Sequence, residues 1–424
     1  MSRLRVAIVA DYLEEGWPSM DLVADMLMTH LAQAHAAAVD ATLVRPPMPR
    51  RLSRLGLPAA GRGGTIDRIV ARQWDYARYV KTLPRFDVYH VVDHTYAHLV
   101  HQLPAARTVV TCHDVDAFRS ILQPEDEWRS PTFRWMSRRI LSGLRAAAHV
   151  PCDSEATRTS LIELADFPPE QLSVIPNGAD ATGWDTADSH ADFEAARVLG
   201  PKRPLELLHV GSTIPRKRID VLLEVFAEVR KSCPDARLVR VGGPFTAEQR
   251  LHVRELDLAD AIVVLPFLDR ATLAAVYRRA AVALLPSERE GFGLPLVEAL
   301  ACGTPVVASD IPVLREVGAG AAEYRPVGDI AGWRGAILDL IAERDRSPET
   351  WQARRMTGVA RASQFSWATY VADVVSVYRA VATMPTAARR AGGASESRER
   401  SAPAQRRASE RAGESEGRSP ADQV

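Results

Sequence analysis

The sequence has no surplus of either charge: 53 Lys plus Arg stand against 53 Asp plus Glu. Without an overall field to draw it toward a polyanion, no nucleic-acid partner is expected, and any basic surface has to be local. Cysteine is scarce. Cys112, Cys152, Cys233 and Cys302 lie far apart, with no CxxC pair and no metal-ligand spacing, and read as buried thiols of a reducing compartment. Long apolar runs are missing too. None reaches the roughly 18 residues of a membrane span, and the opening "MSRLRVAIVADYLEEG" meets Asp11 and two glutamates too soon for a secretory core. A cytoplasmic protein is expected.

What the chain does have is length and alternation. At 424 residues it is too long for one ordinary core, so two domains with a cleft between them are expected. From residue 4 to about 178, short apolar runs ("LRVAIVAD", "DATLVR", "DVYHVVD", "RTVVTCHD", "AHVPCDS", "LSVIPNG") alternate with helical patterns. Strands that are continuously apolar belong to parallel sheets covered on both faces. After a polar stretch the alternation resumes with "LELLHVGS", "ARLVRVGG", "AIVVLP", "VALLPS" and "PVVASD". The fold class is α/β, with two doubly wound Rossmann-like domains facing across a cleft. The first spans 1–180, a linker 181–203 and the second 204–364. A helix over 365–384 packs back toward the first domain. Residues 385–424 contain no aromatic residue, no Leu and no Ile, and are expected to be a disordered tail.

In open α/β sheets ligands sit at the carboxyl ends of strands, so the loops that follow strands carry the candidates. In "LLPSEREGFGLPLVEAL" a helix should begin near Leu294, with Pro295 in its first turn. The amides of Phe292, Gly293 and Leu294 then form an anion site at the helix start. Glu290 precedes that helix and Glu298 lies about one turn inside it; ionised carboxylates only accept hydrogen bonds and so suit sugar hydroxyls. The bland reading of the pair is a solvated Glu290 and a Glu298 that complements the helix dipole. In "HVGSTIPRKRIDVLL", Gly211 closes a strand and Arg216, Lys217 and Arg218 open the next helix, where positive charge opposes the dipole and asks for an anion. In the first domain "TVVTCHDVDAF" ends a strand at His113 and Asp114, and Gly16 precedes a helix that begins near Pro18.

"EGFGLPLVEALACGTPVVAS", with two glutamates eight apart, "VGSTIPRKRIDVLL", "VIPNGAD" and "TCHD" occur in this order. Together they resemble the retaining glycosyltransferases of the GT-B fold, family 4 or glycosyl transferases group 1, over about residues 4–382. The resemblance implies transfer of a hexosyl group, with retained configuration, from a UDP- or GDP-hexose to a hydroxyl of a glycan or lipid-linked acceptor, in polysaccharide biosynthesis. It implies that Glu290 faces the donor hexose and supports oxocarbenium charge, that Glu298 binds the ribose, and that Phe292, Gly293 and Leu294 donate amides. Arg216 and Lys217 would neutralise the leaving diphosphate in place of a metal, so no metal or other cofactor is expected beside the nucleotide sugar. His113 would contact the hexose from the opposite domain, and Gly16, Gly211 and Ser212 complete the donor-binding set.

Three departures stand out. Ser212 occupies a position where many members carry Arg or Lys, Glu15-Gly16 replaces a Gly-Gly pair, and Glu288-Arg289 precede Glu290. A sugar-nucleotide epimerase, a phosphorylase and a non-catalytic sugar-nucleotide or protein binder are the alternatives; the phosphorylase lacks its lysine context here. A peripheral membrane contact at the inner face is a further alternative. It rests on the basic stretch 49–73 and on "EWRSPTFRWMSRRILSGLRAAAH", where Phe133, Met136, Ile140 and Leu144 share one face. An ordinary packed helix shows the same stripe.

Overall fold

The computed structural model describes residues 3–51, 62–179 and 184–384. The expected tail, the middle of the basic stretch 49–73 and the start of the expected linker lie outside the described residues. The first half carries β1 (Leu4–Val9), β2 (Val39–Val44), β3 (Val88–Val91), β4 (Thr108–Val110), β5 (Val150–Cys152) and β6 (Leu172–Val174). The four-stranded parallel sheet β2-β1-β3-β4 is continued by the parallel pair β5-β6 through the bridges Val109–His149 and Cys112–Cys152. Val6 and Ala7 point to opposite faces of β1, and both are fully buried. The sheet is therefore covered on both sides, as the unbroken apolar runs require.

The second half carries β7 (Glu206–Val210), β8 (Arg237–Val241), β9 (Ile262–Leu265), β10 (Val282–Leu285), β11 (Val306–Ser309) and β12 (Glu323–Arg325) in one parallel sheet, ordered β9-β8-β7-β10-β11-β12. The winding direction reverses between β7 and β10, so a crevice opens beyond their carboxyl ends. The loops that follow these two strands are the Arg216–Lys217 loop and the Glu290 loop. Sequence reading did not find β12, because the three residues "EYR" form no apolar run.

Within the stretch read as linker, a helix Ser189–Leu199 is capped by Asp188, whose carboxylate accepts from the His190 and Ala191 amides. Its Ala191, Ala195 and Leu199 are buried in the core of the second half. The final helix, Trp367–Thr383, lays Trp367, Tyr370, Val371, Val374 and Tyr378 against Val6 and Ile8 of the first sheet. The spacing of three and four is what places these side chains on one face.

Candidate active site

The loop after β10 ends at Gly293, whose φ of +90° lies in the left-handed region. A Cβ there would stand 2.7 Å from the Leu314 Cδ2, so both the backbone and the neighbouring side chain call for glycine. The helix Leu294–Ala301 starts on it with Pro295 in the first turn. Among the described residues, the N–H groups of Phe292, Gly293 and Leu294 find no acceptor. Orphan donors at a helix start are the physical form of an anion site. The Phe292 side chain is buried and packs edge-on against Phe365, so the residue offers its backbone alone.

The loop after β7 differs from the sequence expectation. Pro215–Lys217 form a 3-10 turn, Arg218 takes a left-handed φ of +48°, and the α-helix begins only at Ile219. Arg216 and Lys217 thus precede the helix rather than open it, and its dipole is not what they answer. Lys217 Nζ donates to Glu290 Oε1 at 2.6 Å, and Arg216 Nη1 to Glu290 Oε2 at 3.3 Å. Arg216 also lies 3.5 Å from Asp114 and 3.2 Å from Asp116 of the first half. The protein itself supplies carboxylates to these cations, so their presence alone does not demand a phosphate. The Glu290 side chain is 6% exposed. Burial pushes its carboxyl up, but the Lys217 and Arg216 charges and the Lys217 hydrogen bond outweigh burial and hold it below its ordinary range. Gly211 sits beside this pair, a Cβ there falling 3.6 Å from the Lys217 Cε, and half-buried Ser212 follows.

Glu298 lies in different surroundings. The Tyr277 hydroxyl donates to its Oε2 at 2.9 Å. Burial pushes the Glu298 carboxyl up, with the Tyr277 hydrogen bond opposing. One glutamate is paired with cations and the other with a phenol, and the three unpaired amides lie between them in the chain.

The first half closes directly on this loop. A Cβ on Gly291 would stand 1.8 Å from the His113 carbonyl oxygen. The Ser154 hydroxyl donates to the Gly291 carbonyl at 2.8 Å. Beside this contact lies a cavity of about 660 Å³, bounded by Trp17, Met20, Phe133 and Met136 of the first half and by Arg216 and Arg289 of the second. Gly16, at φ +68° with open space around it, turns the chain into the helix Pro18–Ala34 and does not itself line the cavity. Of the stripe on the helix Pro131–Ala146, Ile140 and Leu144 are buried in the first core, while Phe133 and Met136 are half-buried and line the cavity. No helix among the described residues is long and apolar enough to cross a membrane, and no cluster of His, Cys, Asp or Glu among them could hold a metal ion.

Comparison with known proteins decides the family. Residues 23–182 match the model for glycosyltransferase family 4, and residues 192–325 match that for glycosyl transferases group 1. The chain belongs to this family. A D-inositol 3-phosphate glycosyltransferase of Kineococcus radiotolerans is 32% identical over 257 residues, covering 56% of this chain and 58% of that protein. One from Mycolicibacterium gilvum is 30% identical over 305 residues, covering 68% and 65%. The matches thus span less than two thirds of the length of these relatives. Among solved structures, sucrose-phosphate synthase from Thermosynechococcus elongatus superposes with a TM-score of 0.70 at 22% identity, covering 89% of this chain and 99% of that one. Anabaena HepE in complex with UDP-glucose gives 0.63 at 20%, covering 88% and 100%. At such identities the likeness is one of fold: two doubly wound domains in the GT-B arrangement.

In this family 4 member, His113 keeps its ring nitrogens within its own half. Nδ1 pairs with Asp153 Oδ2 at 2.7 Å and Nε2 donates to the Val92 carbonyl at 2.7 Å. Asn177 Nδ2 donates to the same Asp153 oxygen at 2.7 Å. Burial alone would lower the His113 pKa, but Asp153 outweighs it through charge and hydrogen bond and lifts the imidazole from its ordinary 6.5 to about 10. A pKa raised on folding gives stability that is complete below the unfolded value and is lost as pH rises through the folded one. Chemical denaturation of the wild type should therefore show stability falling between about pH 7 and pH 10, and Asp153→Asn should flatten that slope; an equal slope in both proteins would show that the pair does not titrate this way.

Sequence reasoning missed Asp153, Asn177, His94 and Tyr277 as parts of the site. The strand-end rule reaches the first three, because Asp153 closes "VPCD" after β5, Asn177 closes "SVIPN" after β6 and His94 closes "VVDH" after β3. His94 Nε2 is buried without a hydrogen-bond partner, 3.6 Å from Asp114 Oδ1, at the cavity. Tyr277 carries no such signal: it reads as one more apolar position of the helix Arg270–Arg279.

Proposed function

We propose that the chain transfers a hexosyl group from a nucleoside diphosphate sugar to an acceptor hydroxyl with retention of configuration. The observation that carries this is the set of unpaired amides at Phe292, Gly293 and Leu294, flanked by the Lys217–Glu290 pair on one side and Glu298–Tyr277 on the other. Amides and cations suit a diphosphate, and an acceptor-only carboxylate at each flank suits hydroxyls. Glu298 takes the ribose and Glu290 the hexose, where its charge supports the oxocarbenium ion that forms as the leaving group departs. Lys217 and Arg216 neutralise that leaving group without a metal. The donor is a UDP- or GDP-hexose; the neighbouring fold of HepE, solved with UDP-glucose, supports UDP.

His113 serves this site through its backbone, which seats Gly291, while its ring stays bonded to Asp153 and Val92. The acceptor enters the cavity between the halves. Its wall of Trp17, Met20, Ile69, Phe133, Met136 and Ile140 favours an acceptor with an apolar portion, such as a lipid-linked glycan, over a bare polyol. That differs from the inositol phosphate for which the curated relatives are named.

Two measurements test the donor assignment. A thermal-shift series with UDP, GDP and ADP should show one nucleotide raising the melting temperature by mass action. Glu298→Ala should weaken that nucleotide about 10- to 100-fold, the worth of a charged hydrogen bond to a hydroxyl pair, and leave turnover at saturating donor within about threefold. Unchanged affinity in the variant would remove Glu298 from the donor site.

A further inference from the structure

The two halves are joined at a second point that the reaction does not explain. The Glu316 carboxylate, on the helix Pro312–Gly318 of the second half, accepts two backbone hydrogen bonds from the first half: Glu155 N–H to Oε1 at 2.7 Å and Ala156 N–H to Oε2 at 3.0 Å. Those amides are the opening donors of the helix Glu155–Ala165, whose cap, Ser154, donates to the Gly291 carbonyl. One helix start thus holds the second half twice, through Glu316 and through the glycine next to Phe292. The helix that bears Glu316 also bears Leu314, the residue against which Gly293 packs.

We propose that Glu316 is a positioning residue that sets the donor loop 288–294 by clasping the first half. An acceptor-only carboxylate at a helix start gains from both the orphan amides and the dipole, so the clasp has a defined geometry rather than a sliding contact. When it is closed, Leu314 is fixed against Gly293 and Ser154 against Gly291, and the backbone between them is held from both ends. The unpaired amides at 292–294 are then aimed before a ligand arrives. When it is open, Leu314 and Ser154 lose their common reference and the loop is released. Glu316 touches neither the cavity nor the Lys217–Glu290 pair; it acts through Leu314 and through the helix that starts at Glu155.

Amide hydrogen exchange on the full chain without ligand tests this independently of any activity. Glu316→Ala should accelerate exchange at 155–156 and also at 296–297, whose amides donate to the Gly293 carbonyl, each by about tenfold or more. Glu316→Gln, which keeps one carbonyl oxygen as acceptor, should fall between that variant and the wild type. Acceleration confined to 155–156, with 296–297 exchanging at the wild-type rate, would overturn the coupling. So would equal rates in all three proteins. Should Glu316→Ala unfold, Glu316→Gln alone carries the comparison, with the same two segments deciding. The link to donor binding rests on the proposed function and is read separately, by calorimetry with UDP and with GDP. Neither nucleotide binding to the wild type would count against the donor assignment and leave the clasp standing. Wild-type affinity in a variant whose 296–297 amides exchange faster would show that the clasp does not position the donor site.

Discussion

Glu290→Gln should lower turnover about a thousandfold, the scale of losing one charge aimed at a transition state, while affinity for the nucleoside diphosphate stays equal or rises. The asymmetry follows from the pairing. Glu290 neutralises Lys217 and Arg216 from 2.6 and 3.3 Å, and it is nearly enclosed. Replacing it with an amide of the same shape leaves both cations in place with less negative charge beside them, so a diphosphate is attracted more strongly. On the proposed function, what disappears is the carboxylate that supports positive charge on the sugar. Steady-state rates together with nucleotide titration separate the two effects. Wild-type turnover would take Glu290 out of the chemistry, and loss of nucleotide binding would make it a ground-state ligand.

Lys217→Met should lower turnover by about 100- to 1000-fold and raise the donor KM as well. Methionine keeps most of the apolar stem, so packing against Gly211 survives and the change is one of charge. Glu290 then loses the partner that contributes most to offsetting its burial, and its carboxyl rises. The acid limb of the rate profile therefore moves to higher pH: the wild type keeps Glu290 ionised further into acid, and the variant protonates it sooner. A profile that falls in amplitude without moving would mean that Lys217 does not set the charge of Glu290.

Sequence reading located both sheets, because continuous apolar runs at strand length leave little else for them to be. It located the Glu290 loop as well, since glycine, proline and carboxylate types follow from backbone and acceptor requirements that are local. The strand-end rule gave His113 its place but not its surroundings. Asp153 and Asn177 come from other strand ends, and only the lateral order of β3, β4, β5 and β6 brings Asp153 to its ring and Asn177 to Asp153. The same holds for Arg216: its three carboxylate partners lie at 114, 116 and 290, and two of them belong to the other half. Reading its charge as a local surplus failed for that reason. Whatever depends on the approach of the two halves, including Glu316 at the helix start of Glu155, was illegible along the chain.

The proposed function requires that this chain break the bond between a sugar and a nucleoside diphosphate. Purified protein can be incubated with UDP- and GDP-hexoses, with and without a lipid-linked or alkyl glycoside acceptor, while nucleoside diphosphate release is followed and the new anomeric centre is read by proton NMR. One donor should be consumed, faster with acceptor, giving a product of unchanged anomeric configuration, and Glu290→Gln should lose most of that rate. A donor isomerised without release of nucleotide, a product of inverted configuration, or nucleotide bound with no turnover across the panel would contradict it.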